Sequence, residues 1–331
     1  MKKTSYLLAT IISIIFFCGF QSTILADDGF TPTIPKFKGC KAKCVSPDTQ
    51  RQQGQQGLQG TSNVQSRTQD YELPVTNYQP RIKSKIISLS PGITEIIYAL
   101  GAGEKIVAVS DFCTYPPEVK NKPLIGGSIN PSFERILISQ PDLIIYQGTF
   151  SKIKKFCENY KIPTCNVQLD DLISITNSIQ QIGNKIGSSK QAVELRNQIT
   201  DKLNNIKKLS VNKKNIATLV CVGRETGPVS SCTTIGKKSF INEMLKIAGG
   251  SNVCEDVIGA YPTISAEVIV ARQPAIIFEL RPGQKINEDQ IISEWRMLNK
   301  KSKIIILTNN FLMVPGPRIN KIAEEFRKKL K

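Results

Sequence analysis

The chain has 331 residues, enough for two domains of ordinary size, and 40% of them are hydrophobic, so each domain can bury a core. Its 44 Lys and Arg against 27 Asp and Glu leave a formal charge of +17, but the lysines are scattered and no nucleic-acid motif accompanies them. Solvated surface charge is the plainer reading, with attraction to acidic membrane or wall polymers as the alternative, and the absence of histidine excludes Ser-His-Asp and Cys-His catalysis and histidine-held metals.

In chain order, Lys2 and Lys3 precede the apolar run YLLATIISIIFFCGF, and Ile24-Leu25-Ala26 offers a small residue for cleavage. This predicts a secretory signal peptide over residues 1–26 and a mature chain starting near Asp27, in the periplasm or another extracytoplasmic space. An uncleaved anchor is the alternative, but the run is shorter than the roughly 20 apolar residues of a spanning helix. Lipid attachment at Cys18 is disfavoured, since Phe16 and Phe17 stand where a lipoprotein signal carries small residues. Of nine cysteines, eight remain after the signal, an even count that fits disulfides in an oxidising compartment without fixing their connectivity; Cys40 and Cys44 are close enough to pair locally. Paired CxxC metal spacings are missing. Residues 27–80, with QQGQQGLQGTSN, are polar and lack apolar periodicity, which predicts a flexible tether.

From Arg81 the pattern alternates. KIISLS, KIVAVS, DLIIYQG and IPTCNV predict strands, with helices over ITEIIYALG, the segment from Pro131 and SKIKKFCENY: an α/β lobe over 81–169 with parallel strands. The alternation breaks over 170–212, where Leu172, Ile175, Ile179, Ile182 and Ile186, then Val193, Ile199, Leu203 and Ile206, keep helical spacing. The second of these helices, about 22 residues and roughly 33 Å long, can cross a whole lobe. NIATLVCVG, SFINEMLKIAGG, AIIFEL, EDQIISEWRML, KIIILT and PRINKIAEEFRKKL then predict a second α/β lobe over 213–331. The predicted fold is two Rossmann-like α/β lobes joined by a long backbone helix, with a ligand cleft between them. Ligands of such lobes bind at the carboxyl ends of the strands. That places SPGIT, with Ser90, DFCTYPPE, GRETGPVSS, ELRPG and TNNFLMVPGPR around the cleft.

PSFERILISQPDLII (Pro131 to Ile145) has a looser copy, ISAEVIVARQPAIIF (Ile264 to Phe278), and the pair falls once in each lobe. The two share Ser132/Ser265, Glu134/Glu267, Ile136/Ile269, Gln140/Gln273, Pro141/Pro274 and Ile144/Ile277. A serine that can cap a helix with a carboxylate in its first turn is explained by helix electrostatics alone, worth about 0.3–1 kcal/mol. Arg224 and Arg281, just after strands of the second lobe, suit surface salt bridges or an anion-holding role. Trp295, the only tryptophan, lies on an amphipathic pattern and reads as core. GKKS at 236–239 is a helix entry, since the first glycine of a phosphate loop would have to sit at Ser231.

With SLSPGITE, the YPPE turn and NPSFERI in place, the run from Lys85 to Ile145 resembles periplasmic cobalamin-binding proteins of ABC importers, within the helical-backbone class that also takes iron-siderophores and haem. The resemblance covers about Arg81 to Lys331 and leaves the tether uncovered. It implies a binding protein, not an enzyme, with cobalamin or a related corrinoid as cargo and no cofactor or resident metal. Tyr115 aligns with a corrin-contacting tyrosine of the family, Tyr261 and Phe311 fall where the family has tryptophans, and Ser128 replaces a third. Glu134 and Glu267 would each dock against arginines of a two-fold permease, which accounts for a pair recurring once per lobe. A ferric siderophore, or less readily haem, is the alternative cargo. An exported sensor or interaction domain that has lost its permease is the alternative of another class. No nucleic-acid partner is expected.

Overall fold

The computed structural model describes residues 84–210 and 215–330. The expected signal peptide over 1–26, the tether over 27–80, Cys18, Cys40 and Cys44 lie outside the described residues.

The first lobe opens with β1 (Ile86–Ser88), buried throughout. It runs into α1 (Pro91–Ala99), where Pro91 takes a first-turn position that needs no N–H donor and the Ser90 hydroxyl accepts from Ile93 N at 3.4 Å. β2 (Ile106–Val109), α2 (Phe133–Ser139), β3 (Leu143–Gln147), α3 (Ser151–Asn159) and β4 (Thr164–Val167) complete the lobe. Its four strands are parallel in the order β2-β1-β3-β4, as the alternation predicts. Parallel strands covered on both faces read as unbroken apolar runs, and Leu143–Gln147 is buried at every position.

The connector is a helical hairpin. α4 (Leu172–Ile186) starts at a reciprocal cap between Asp171 and Ser174 and ends at the left-handed Gly187. α5 (Ser189–Lys208) has 20 residues, roughly 30 Å at 1.5 Å per residue. A Cβ on Gly183 would lie 2.5 Å from the Ala192 Cβ, so this glycine is what lets the two helices close up. α4 packs on β4 and α1, anchoring it to the first lobe.

The second lobe contains β5 (Ile216–Gly223), β6 (Ser231–Thr234), α6 (Phe240–Ile247), β7 (Gly250–Asn252), β8 (Thr263–Ser265), α7 (Ala266–Arg272), β9 (Ile276–Leu280), α8 (Glu288–Leu298), β10 (Lys303–Leu307) and α9 (Ile319–Lys329). α5 packs against α6 and α9 and so belongs to this side of the hairpin. The sheet order is β10-β9-β5-β6-β8, with β7 beside the start of β5. Unlike the first sheet, this one is mixed: β6 runs antiparallel to both β5 and β8. The polar stretch between β5 and α6 folds back as a strand rather than crossing over through a helix.

The duplicated segment folds the same way twice. α2 and α7 have seven residues each, end on Gln140 (φ 45°) and Gln273 (φ 46°) in the left-handed region, and lead through a proline into a fully buried strand. Alternate residues then sort into cores. Ile86, Ile145, Val220 and Phe278 join one continuous core that runs through Ile179, Ile199 and Leu203 of the hairpin. Ile87, Ile144 and Phe156 fill the outer face of the first sheet, and Leu219, Ile277 and Trp295 that of the second. Trp295 is fully buried, as expected. The expected disulfides are not formed among the described residues: Cys113, Cys157, Cys165, Cys221, Cys232 and Cys254 are free thiols packed in the interior. Burial pushes the Cys157 and Cys254 thiols up to about 11, so they act as small apolar side chains.

Candidate functional site

A cavity of about 370 Å³ lies between the two lobes, within the size range of small-molecule sites. The first lobe contributes the turn from β1 into α1, with Ser90, Pro91, Gly92 and Glu95, and the loop after β2, with Asp111, Phe112, Thr114 and Tyr115. Gln147, at the carboxyl end of β3, completes that wall. The second lobe contributes Pro282 and Gly283 after β9, and Asn310, Met313, Val314, Pro315 and Arg318 between β10 and α9. Every one of these segments follows the carboxyl end of a strand, where sheet topology directs a ligand.

Local chemistry fixes the wall. Ser88 Oγ donates to Ser90 O at 3.2 Å and receives the Thr94 hydroxyl at 2.7 Å, which locks the turn. Ser90 Oγ donates to Gln147 Oε1 at 3.0 Å and so ties α1 to β3. At the floor the lobes meet backbone to backbone, because a Cβ on Gly92 would fall 2.3 Å from Pro315 O and 3.2 Å from Leu169 Cδ1. Only glycine permits that approach.

The charged groups at the cavity are two carboxylates, Glu95 and Asp111, and one guanidinium, Arg318. Arg318 Nε donates to Glu95 Oε2 at 2.7 Å and its Nη2 to Oε1 at 2.5 Å, while Nη1 donates to Asn310 Oδ1 at 2.8 Å. Its Cζ lies 3.8 Å from the centroid of the Tyr115 ring and 5.6 Å from that of Phe311. Burial raises the Glu95 carboxyl above the ordinary carboxylate range, and the attraction of Arg318 and Lys321 only partly offsets it.

The structure brings together two of the expected site residues, Ser90 and Tyr115, at the cavity wall. Phe311 is half-buried beside the Arg318 guanidinium, outside the lining. Tyr261 is buried in the main core instead of facing the cleft. Ser128, at the position of the third family tryptophan, is buried, and its hydroxyl donates to Leu89 O.

Arg224 and Arg281, expected to hold an anion at the cleft edge, are buried and engaged. Arg224 Nε donates to Glu279 Oε2 at 3.1 Å, and its Nη2 is 2.8 Å from Glu294 Oε2. Arg281 Nε donates to Glu279 Oε1 at 2.7 Å, and Trp295 Nε1 donates to Oε2 at 2.6 Å. A carboxylate with 0% exposure needs compensating charge, and both arginines are drawn inward to supply it. Burial works to raise the Glu294 carboxyl, but Arg224, Gln290 and the Gly227 amide outweigh it and hold this group below its ordinary range.

Glu134 and Glu267 are both exposed, each at the second position of its short helix. Helices that cross over between parallel strands begin at the strands' carboxyl ends, so each carboxylate stands at the ligand-facing end of its own sheet. Ser132 caps α2 through Arg135 N at 3.4 Å. Ser265 makes no such cap; its hydroxyl turns to Glu267 and lowers that carboxyl below its ordinary value.

Sequence reasoning missed Glu95 and Arg318 as a pair, 223 residues apart. The signal was present: Arg318 is the arginine of TNNFLMVPGPR, a segment already expected to line the cleft.

A periplasmic binding protein family model matches residues 86–301. The chain belongs to the periplasmic binding protein family, as a substrate-binding protein and not an enzyme. It is 25% identical over 246 residues to a vitamin B12-binding protein of Vibrio parahaemolyticus, covering 72% of this chain and 87% of that protein. It is 29% identical over 250 residues to an uncharacterized ABC transporter substrate-binding lipoprotein of Bacillus subtilis, covering 73% of this chain and 78% of the other. In fold it is similar to the periplasmic heme-binding protein of Roseiflexus in apo form, with a TM-score of 0.65, 23% identity, and coverage of 75% of this chain and 99% of that one.

Proposed function

We propose that this chain captures cobalamin or a related corrinoid between its lobes and delivers it to an ABC importer. The observation that carries the reading is the character of the cavity. Phe112, Tyr115, Met313, Val314 and three prolines offer flat and aliphatic surface, and Ser90, Thr114, Gln147 and Asn310 offer uncharged polar groups. Its one guanidinium is already paired with Glu95. In a chain carrying 44 Lys and Arg, a cavity with no lysine and a neutralised arginine suits a broad, amphipathic and nearly neutral ligand, whose apolar faces are buried and whose amides are hydrogen-bonded. Polyanionic ferric siderophores and the haem dicarboxylate find no free cation among the lining groups. A corrinoid exceeds the enclosed volume, so its edge lies in the open side of the cleft. The similarity to a vitamin B12-binding protein supports the same cargo.

Calorimetric titration of the chain with cyanocobalamin, a cobinamide and a ferric siderophore tests the reading. Submicromolar corrinoid binding is expected. No corrinoid binding together with tight siderophore binding would transfer the site to the alternative cargo.

Delivery would run through Glu134 and Glu267, exposed at equivalent positions of a duplicated unit, against basic groups of a two-fold permease. Reversing both charges with Glu134→Lys and Glu267→Lys should abolish uptake while leaving the Kd for ligand unchanged. Uptake that survives the double reversal would remove the docking role.

A further inference from the structure

The ion pair on the cavity wall has an arrangement that fold maintenance does not require. Glu95 comes from the first lobe and Arg318 from the second, and both face the ligand space. The pair is side-on and two-toothed, with both carboxylate oxygens engaged. Tyr115 stacks on the guanidinium and fixes its plane. Of the five N–H bonds of a guanidinium, Glu95 and Asn310 take three. Two therefore remain for uncharged acceptors such as amide oxygens, while the positive charge is cancelled within the protein. Glu95 is only 3% exposed, so water screens this cancellation weakly.

We propose that Glu95 is a specificity-determining residue: by masking the charge of Arg318 it sets the cavity to accept neutral ligands and to refuse carboxylates, phosphates and catecholates. The inference rests on the neutral-cargo reading above and adds the residue that enforces it. Without Glu95, Arg318 would remain on its Tyr115 platform as an uncompensated guanidinium aimed at bound ligand, the arrangement an anionic cargo needs.

The test compares Kd values for cyanocobalamin and for a ferric tricatecholate, measured by intrinsic-fluorescence titration. Glu95→Gln keeps the side-chain shape and removes the charge, and should tighten tricatecholate binding about tenfold or more, a gain that fades at high salt. Glu95→Asp keeps the charge, so it folds without an unpaired buried guanidinium, but its shorter arm cannot hold both teeth; it should show a smaller gain of about threefold. The double variant Glu95→Gln with Arg318→Met, which leaves no charge to expose, should show none. A purely structural role would weaken both ligands together and leave their ratio unchanged. An unchanged ratio in folded Glu95→Gln, or in Glu95→Asp if the first variant does not fold, overturns the proposal. The tricatecholate gain is read on its own scale, so it stands or falls independently of corrinoid binding, whereas failure of the wild type to bind cyanocobalamin would count against the cargo reading alone.

Discussion

Two arginine clusters of the same chemistry sit a few residues from the cleft, and they do different work. Around Glu279, Arg224 and Arg281 converge with Trp295 and Glu294 inside one lobe, and all the partners come from β5, β9, α8 and their flanking turns. Around Glu95, Arg318 engages both oxygens of one carboxylate, whereas Arg281 places Nε and Nη2 on the single oxygen Oε1 of Glu279; the Arg318 partner belongs to the other lobe and its aromatic platform lies on the cavity wall. The first cluster balances its charges within one lobe; the second lines the cavity between the lobes. Pairing with a buried carboxylate does not by itself mark a functional arginine. What marks it is which elements supply the partner and whether the pair faces open space.

The comparison breaks most visibly if the buried cluster is opened. Glu279→Gln would leave two guanidinium groups in the interior without their shared carboxylate, and should lower stability by about 3–5 kcal/mol in urea unfolding. The same variant, where folded, should bind ligand as the wild type does, because Glu279 does not line the cavity. A large loss of affinity with stability intact would merge the two clusters into one site.

A smaller effect sharpens the contrast through pH. The Glu294 carboxyl is held below its ordinary 4.5, so the folded state binds its proton less readily than the unfolded chain does. Its stabilisation is complete above that ordinary value and is lost as pH falls through the lowered one. The Glu95 carboxyl is raised above the same 4.5, so its contribution has the opposite sign: complete below the ordinary value, and lost as pH rises through the raised one. Urea midpoints across pH should therefore show a shallower acid limb for Glu294→Gln, and a difference of opposite slope for Glu95→Gln. Parallel profiles for the two variants would contradict the assigned environments.

The sequence made the repeated framework legible and hid its charges. LIIY and AIIF are continuous apolar runs because parallel strands covered on both faces have no polar side, and Ser, Gln and Pro punctuate the preceding helices at matching positions in both copies. β6, β7 and β8 were not readable, since SCTT, GSN and TIS have no strand period and are extended only because a neighbour pairs with them. Arg224 and Arg281 looked like anion holders because they follow strands at the correct end. Glu279, two residues before Arg281 and in the middle of an apolar run, was the sign that they would turn inward. Arg318 passed unmarked because PGPR reads as a turn and its carboxylate lies in SPGITE, at the other end of the folded chain. Tyr115 and Tyr261 were indistinguishable as residues in YP pairs; burial of the second in the main core separates them.

Ligand binding at the Tyr115 and Arg318 wall, and not at the Arg224 edge, is the claim on which the functional reading stands. Its most direct test is a calorimetric titration of wild type, Tyr115→Ala and Arg224→Met with cyanocobalamin, each variant first checked for folding. The structure predicts that Tyr115→Ala loses about tenfold or more in affinity, while Arg224→Met loses stability and retains the wild-type Kd. Wild-type affinity in Tyr115→Ala together with lost affinity in folded Arg224→Met would contradict it.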